Sequence, residues 1–382
     1  MKKFFIATIV LFILVELGLF FTDKWYLNNL FAKTIFSGKT GPDIDELHLF
    51  SNAQIKTASP QSWAKSSHYN QYVLNDSLLK AINDFETVAF VVIKNDSLLF
   101  EKYWEDYHDS SLINSFSMAK SITSILIGCA IKDGLIKSVD EPVGNYLHEF
   151  ETPALKDITI KNLLTMSSGL NFEEGYSSPL SWPAEAYYGP DVNALTIKQS
   201  SLVHKPGTLW MYKGGDTQLL GMILKKVTGK NIAQYATEKL WDNVNAEYPA
   251  YWSLDDQNME KVSCCWYANA KDFARIAKLM MQKGNWNGTQ LLDSTYVNQS
   301  LTPCNIKNTS GETVNYYGYQ WWLLQYKGHD VFYARGIRGQ YIFAIPDLNT
   351  IVVRLGHKRA PKTGDEAPAD VFVYLDAALQ MQ

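Results

Sequence analysis

The sequence contains three copies of a pattern that could support catalysis, a serine followed three residues later by a lysine. They are Ser62–Lys65, Ser77–Lys80 and Ser117–Lys120. A serine becomes a nucleophile when a neighbouring base accepts its proton, and residues three apart in a helix share one face. The pattern suits covalent catalysis, but it does not choose among the three copies.

Context favours the copy at Ser117. It follows a polar stretch, 109–115, and directly precedes an apolar helical run, 121–127. The start of a helix leaves main-chain N–H groups unpaired, which suits a nucleophile at the edge of a cleft. A lysine accepts a proton only as a neutral amine, and burial against the apolar flank of the helix would favour that form. We therefore predict Ser117 as nucleophile and Lys120 as its activating partner. The alternative is an N-cap serine beside a solvated lysine.

A second candidate is Tyr212, which lies between a Pro206-Gly207 turn and a glycine-rich step, Gly214-Gly215, into a helical run. A phenol held in such a loop can move a proton between a nucleophile and a leaving group. Taken alone, the position fits a packing tyrosine better, because the chain is rich in aromatic residues.

Composition narrows the class of protein. The 382 residues are 46% hydrophobic and 19% charged, with a formal net charge of -4, which indicates a globular chain and no basic footprint for nucleic acid. The four cysteines, Cys129, Cys264, Cys265 and Cys304, lack metal-ligand spacing and argue against a zinc site or a disulfide scaffold. The histidines are dispersed. We expect a small-molecule substrate, no metal and no cofactor.

The N-terminus predicts a membrane segment. Lys2 and Lys3 precede an apolar run, 4–21, that is long enough to cross a bilayer and is followed by no small-x-small cleavage site. An uncleaved anchor is the favoured interpretation, with a cleaved signal peptide as the alternative. The charge placement predicts a catalytic domain outside the cytoplasm, in the periplasm.

Strand patterns at both ends of the chain enclose a helical middle. A hairpin is predicted over 87–104, further strands over 331–334, 341–345 and 350–355, and a closing helix over 369–381. The sequence therefore predicts an α/β fold of the α+β type, with an antiparallel sheet from both chain ends flanked by helices. The predicted divisions are an anchor or signal segment at 1–24, a tether and lead-in at 25–85, and a hydrolase domain at 86–382 with a helical subdomain at about 135–325.

Ordered motifs then give a family resemblance that covers roughly Ala89 to the C-terminus. The runs 115–124 (SFSMAKSITS), 133–136 (DGLI), 139–143 (VDEPV) and 158–170 (ITIKNLLTMSSGL) resemble the class C β-lactamase-related serine hydrolases. Within them the chain is most similar to the 6-aminohexanoate-dimer hydrolase branch, because Tyr212 is followed by 214–220 (GGDTQLL). The runs 270–275 and 336–340 also match.

The resemblance implies roles and a β-lactamase/penicillin-binding-protein-like fold. Ser117 would form an acyl-enzyme, Lys120 would accept its proton, and Tyr212 would relay that proton to the leaving group. The third motif would lie on a sheet strand at Ala334-Arg335-Gly336, and the N–H groups of Ser117 and Ile337 would form the oxyanion hole.

Candidate substrate contacts are less distinctive. Tyr176 falls where this branch places substrate-contacting residues, although aromatic packing is the default interpretation. Arg335 could pair with a substrate carboxylate, and Gly336 and Gln340 belong to the strand and turn beside the predicted oxyanion hole.

Several departures bear on the substrate. Gly214 stands where β-lactamases usually have an asparagine, and Ala334 stands where a lysine or histidine is usual; both favour an esterase or amidase. Literal Lys-Thr-Gly occurs at 39–41 and 362–364, but on no strand pattern, and we interpret both as chance.

Three hypotheses stand at this stage. The leading one is a serine hydrolase of small esters or amides. The alternatives are a penicillin-interacting D,D-peptidase or β-lactamase, and a non-catalytic anchored binding or sensor protein on the same scaffold.

Overall fold

A seven-stranded sheet organises the chain, and its strands come from both ends of the sequence. The computed structural model describes residues 1–34, 38–39, 41–172, 174–361 and 367–381. The strands in chain order are β1 (Asn52–Ile55), β2 (Ala64–Lys65), β3 (Thr87–Lys94), β4 (Ser97–Tyr103), β5 (Ile113–Asn114), β6 (Ala250–Ser253), β7 (Trp266–Ala268), β8 (Asn285–Trp286), β9 (Thr289–Gln290), β10 (Trp322–Tyr326), β11 (His329–Gly336), β12 (Gln340–Ile345) and β13 (Thr350–Gly356).

The order in the main sheet is β10-β11-β12-β13-β3-β4-β2. All its pairings are antiparallel except the short contact of β2 with β4. β3 meets β13, with Val92 opposite Val352, so the N-terminal hairpin and the C-terminal strands form one layer. The predicted antiparallel sheet built from both chain ends is confirmed.

Helices cover both faces of this sheet and fill the middle of the chain. They are α1 (Lys2–Phe21), α2 (Tyr26–Thr34), α3 (Asp76–Asp84), α4 (Met118–Lys132), α5 (Ile160–Leu164), α6 (Trp182–Tyr188), α7 (Val192–Gln199), α8 (Gly214–Thr228), α9 (Ile232–Ala236), α10 (Ala270–Met281), α11 (Ser294–Ser300) and α12 (Ala369–Gln380).

The two faces of the sheet carry separate cores. Val91 and Ile93 of β3 face a large core with the residues of α4, α8 and α10, whereas Phe90 and Val92 face a smaller one with α3 and α12. Because both faces of the sheet are covered, the sequence of β3 is a continuous apolar run and does not alternate between apolar and polar residues. α4 is enclosed over Met118–Ala130, which holds its first turn rigidly against the sheet.

Residues 25–85 differ from the predicted tether, because they fold onto the domain. β1 pairs with β6, β2 pairs with β4, α3 packs on α12, and α2 packs on α6. Their polar, turn-rich composition gave no periodic signal of these contacts, which depend on partners far away in the sequence.

α1 is the one helix in the described ranges that is long and apolar enough to cross a membrane, judged by length and composition. None of its residues is buried.

Candidate active site

Ser117 and Lys120 meet at the start of α4. Ser117 is the N-cap residue of this helix, and Phe116 before it has φ 44°, a left-handed conformation that is strained for a side chain of this size. The resulting turn leaves Ser117 partly exposed at the cavity surface. Lys120 Nζ lies 3.1 Å from Ser117 Oγ, and Lys120 is only 3% exposed. The structure therefore brings the predicted pair within hydrogen-bonding distance.

The other Ser-x-x-Lys copies are engaged elsewhere. Ser62 Oγ donates to Glu247 at 2.8 Å, and Lys80 pairs with Asp84 at 2.6 Å on the surface of α3. Both serines are exposed and lie away from the cavity lining.

The segment after Met259 holds the amine of Lys120 from the other side. Lys120 Nζ donates to the carbonyl oxygen of Ser263 at 2.7 Å. The next two residues form a disulfide between neighbours, Cys264–Cys265, and Cys264 lines the cavity. Sequence reasoning missed this link, and the adjacent cysteine pair was the only signal for it. The disulfide restrains the backbone that supplies the lysine's acceptor.

Tyr212 lies beside the same amine. Lys120 Nζ is 5.1 Å from the centroid of the Tyr212 ring, and that ring packs against Trp322 and Tyr317 at centroid distances of 5.6 and 6.2 Å. Serine, lysine and tyrosine from two distant segments therefore converge, while the aromatic neighbours hold the phenol in place.

The N-terminus of α8 explains why position 214 carries no asparagine. A Cβ atom built on Gly214 would lie 2.3 Å from Cζ3 of Trp182, so the indole fills the space that a side chain would need. At Gly215 the corresponding neighbour is Phe172, at 2.5 Å. The Ser263 carbonyl, and not an asparagine amide, contacts the amine of Lys120.

Buried charges surround this helix start and were not predicted. Within the described ranges, Oε2 of Glu174, Nζ of Lys213 and Oδ2 of Asp216 are buried without a hydrogen-bond partner. Burial raises the pKa of the Asp216 carboxyl to about 6, against the opposing effect of Lys213. Burial also raises the pKa of the Glu174 carboxyl, which Lys120 opposes. Glu174 lines the cavity and accepts a hydrogen bond from the N–H of Gly214.

β11 supplies the opposite side of the site. A Cβ atom on Gly336 would lie 2.4 Å from the carbonyl oxygen of Ser115, so only glycine allows the strand this close to the nucleophile segment. Ile337 follows and lines the cavity with Ser117. In the described part of the chain, neither the Ser117 N–H nor the Ile337 N–H has an assigned acceptor. Both are free to donate to a substrate oxygen.

The predicted substrate contacts are placed differently. Tyr176 lines the cavity and is 54% exposed. Burial of its hydroxyl group and the nearby Glu174 carboxylate raise the pKa of Tyr176 well above the ordinary value. Arg335 is buried, with its guanidinium 3.4 Å from the centroid of the Trp322 ring. Gln340 lies behind the cavity wall, where its amide bonds both main-chain groups of Gly356. The structure therefore places Gln340 as a support of the strand ends.

The first literal Lys-Thr-Gly run is described only at Lys39 and Gly41, and neither residue lies on a strand. Lys39 and Gly41 line the cavity, but the Lys39 amine pairs with Asp45 at 2.7 Å and Asp43 at 3.2 Å. Residues 362–364 lie outside the described residues.

One cavity is lined by Ser117, Lys120 and Ile337, whereas Tyr212 lies outside its lining. It has a volume of about 500 Å³, within the range typical of small-molecule sites. Ser117, Lys120 and Ile337 lie on one side, and α2 and α6 form the other. A nucleophile, a buried amine and two N–H donors in one cleft form a constellation suited to acyl transfer.

Comparison with known proteins identifies the family of this chain. The Beta-lactamase family model matches residues 75–375. The 6-aminohexanoate-dimer hydrolase of Paenarthrobacter ureafaciens is 22% identical over 313 residues, which cover 75% of this chain and 79% of that protein.

Solved structures share the fold. A Bacillus anthracis structure provisionally assigned as a 6-aminohexanoate-dimer hydrolase superposes with a TM-score of 0.77 at 22% identity, covering 88% of this chain and 93% of that one. A family VIII carboxylesterase superposes with a TM-score of 0.62 at 16% identity, covering 82% and 99%. With the match to the family model spanning most of its length, the chain belongs to the β-lactamase family.

Proposed function

We propose that this protein is a serine hydrolase that cleaves small ester or amide substrates through an acyl-enzyme on Ser117. The observation that carries the proposal is the 3.1 Å approach of Lys120 Nζ to Ser117 Oγ at a cavity surface, with the amine also held by the Ser263 carbonyl. Neither of the other Ser-x-x-Lys copies has such a setting.

In the first half of the reaction, the amine of Lys120 takes the proton of Ser117 as Oγ bonds to the substrate carbonyl carbon. The carbonyl oxygen becomes an oxyanion and accepts hydrogen bonds from the N–H groups of Ser117 and Ile337, each worth about 3 to 4 kcal/mol in comparable hydrolases. The bond to the leaving group then breaks, and the proton passes through Tyr212 to the departing alcohol or amine.

In the second half, water attacks the acyl carbon and gives its proton to Lys120 and Tyr212, which act together as the base. The bond from Oγ breaks, the serine recovers its proton, and the acid product leaves. Tyr176 and Gly336 border the space where the substrate lies, and Arg335 steadies the aromatic cluster behind Tyr212.

An ester or amide fits better than a β-lactam. Position 214 carries glycine in place of the asparagine expected of β-lactamases, and position 334 carries alanine in place of the expected lysine or histidine. Trp182 leaves no room for a side chain at 214. Similarity to the 6-aminohexanoate-dimer hydrolase and to the carboxylesterase fold supports the same choice.

Location is also part of the proposal. α1 would lie in a membrane, with Lys2 and Lys3 on the cytoplasmic side and the catalytic domain in the periplasm. The exposed apolar surface of α1 and the length of this helix support that placement.

The test is active-site labelling of the full chain with a fluorophosphonate, combined with turnover of p-nitrophenyl acetate. Ser117→Ala is expected to abolish both, whereas Ser77→Ala, at an exposed serine with the same spacing to lysine, keeps both. Labelling that survives Ser117→Ala and disappears in Ser77→Ala contradicts the assignment. Turnover of nitrocefin at a rate comparable to the ester would favour the β-lactamase alternative instead.

A further inference from the structure

One part of the cavity lining at Ser117 precedes the match to the family model. That match begins at residue 75, but Leu30, Phe31 and Thr34 of α2 line the cavity. The neighbouring lining residues of Ser177–Tyr188 lie within the match. We call α2 and the segment Ser177–Tyr188, which includes α6, the entrance wall.

α2 is held firmly in this position. Tyr26 Oη donates to the carbonyl oxygen of Pro179 at 2.8 Å, and Asn29 Nδ2 donates to that of Tyr188 at 3.3 Å. Lys24 Nζ, just before the helix, pairs with Glu185 at 2.8 Å. The contacts fix one side of α2 to α6 and leave its Leu30 and Phe31 side chains beside the cavity.

The lining of the entrance wall is mainly apolar, with aliphatic hydroxyl groups at Thr34, Ser177 and Ser178. Its members include Leu30, Phe31, Pro179, Trp182, Pro183 and Ala186. The Lys39 amine nearby is engaged by Asp43 and Asp45, so it is not available to select an anionic substrate group. Such a surface favours a hydrocarbon chain over a charged one, because burial of apolar area is worth about 25 cal/mol per Å².

A short stretch of chain joins the entrance wall to α1, the helix long enough to cross a membrane. Four residues lie between Phe21 at the end of α1 and Tyr26 at the start of α2, which limits that span to about 18 Å, and Leu30 lies about 6 Å further along α2. Asn28 Nδ2 also donates to Glu16 Oε2 at 2.8 Å, which ties α2 to the last turns of α1. With α1 in a bilayer, the cavity opening lies close to the bilayer surface.

Large apolar side chains are exposed around this opening. Phe31 is 44% exposed, Tyr176 54% and Leu180 55%, and Trp25, directly before α2, is 53% exposed. Aromatic and aliphatic side chains of this kind are stabilised at a membrane interface, where their apolar parts leave water. Their position beside the cavity gives an apolar path from the bilayer to Ser117.

We infer that the substrate is an amphipathic acyl ester taken from the bilayer surface, with its acyl chain lying against the entrance wall and its carbonyl at Ser117. The inference rests on the proposed function and on α1 spanning the membrane. The acyl chain passes over Phe31 and Leu30, and the polar leaving group remains on the aqueous side.

The first test is chain-length selectivity of the full-length protein in phosphatidylcholine vesicles, measured as kcat/KM for p-nitrophenyl dodecanoate divided by kcat/KM for p-nitrophenyl butyrate. Phe31→Ser is expected to lower this ratio about tenfold, because it removes contact with the distal part of the long chain. Val203→Ser, an exposed apolar residue away from the cavity lining, is the matched control and keeps the ratio.

The second test separates a bilayer source from a free amphiphile. 4-Methylumbelliferyl oleate is placed either in the vesicles that hold the protein or in separate vesicles. Hydrolysis at least tenfold faster in the shared vesicles is expected, and equal rates would overturn the bilayer source.

An unchanged selectivity ratio in Phe31→Ser would overturn the acyl-chain site. Failure of the proposed function looks different, because wild-type protein would then turn over neither ester and Ser117 would not react with a fluorophosphonate. Fluorophosphonate labelling of Phe31→Ser also verifies that its site is intact, so a lower ratio in that variant reports chain binding.

Discussion

The two sides of the cavity differ in how they are built. One side, which we call the catalytic wall, consists of the start of α4, the Ser263–Cys265 segment and the end of β11. It is enclosed by the two cores and lies within the residues matched by the family model. The entrance wall is more exposed, and its α2 part lies before that match.

This difference separates chemistry from selection. The catalytic wall holds the reacting groups at hydrogen-bonding distances, so a change there should affect every substrate alike. The entrance wall offers an apolar surface, so a change there should depend on the substrate's shape and length. Four predictions test or refine this division.

The largest effect is expected for Lys120→Met, which removes the base on the catalytic wall. We expect kcat to fall roughly 10²–10⁴-fold for short and long esters alike, as for the loss of a general base. Stopped assays with p-nitrophenyl butyrate and p-nitrophenyl dodecanoate measure this loss of kcat. Lys80→Met, which alters the surface Ser77 copy, should leave both rates unchanged, and a loss confined to one chain length would break the division.

The second prediction concerns Lys261, beneath the entrance wall, whose Nζ donates to the carbonyl oxygen of Tyr187 at 2.5 Å. Burial lowers the pKa of this lysine from 10.5 to about 7. The unfolded chain therefore binds more protons between these values, and the free energy of unfolding should rise with pH from about 7 toward 10.5.

Denaturant titrations at several pH values should show this rise relative to Lys261→Met, on the order of 4 kcal/mol over the window. The exposed Lys226→Met variant should follow the wild type. If the difference in free energy of unfolding between wild type and Lys261→Met does not vary with pH, protonation of the buried Lys261 amine does not affect the stability of the protein around the entrance wall.

The third prediction concerns Gly214 at the start of α8, which packs against Trp182 of the entrance wall. A Cβ atom there would come within 2.3 Å of the Trp182 ring, so Gly214→Ala should force the indole aside and lower the free energy of unfolding by about 1–3 kcal/mol. Gly41→Ala, where no atom lies within 4 Å of the added carbon, should change it little. Equal stability of both variants in urea titrations would show that Trp182 is not tightly packed against the start of α8.

The smallest effect is expected from opening the Cys264–Cys265 disulfide with a phosphine reductant. The Ser263 carbonyl that holds Lys120 should become less well fixed, and kcat should fall about tenfold with KM nearly unchanged. The double variant Cys264→Ser/Cys265→Ser should show the same lower kcat and no further response to reductant. Full activity in that variant would remove the disulfide from the account of the catalytic wall.

Much of the fold could be predicted from local patterns. The hairpin expected over 87–104 is found as β3 and β4, and the closing helix as α12, within one residue at each end. These elements have strong periodicity and clear turn or cap residues, which act over a few positions. Residues 25–85 carry no such period, and their packing on α6, α12 and β4 was missed.

The candidate site divides in the same way. Ser117 and Lys120 were recognisable because their spacing and the helix after them are local, and Tyr212 only through the ordered set of motifs. No local pattern marks Glu174 as a buried carboxylate, or places Leu30 beside Ser117, because each of these depends on a contact between distant segments.

The sequence by itself determined which residues could react and which elements carry them, since side-chain chemistry and helical or strand periodicity are properties of neighbouring positions. Only the tertiary structure decided that the Ser263 carbonyl holds Lys120, that Trp182 excludes a side chain at Gly214, and that α2 closes the cavity. Close packing of side chains from remote parts of the chain sets those contacts.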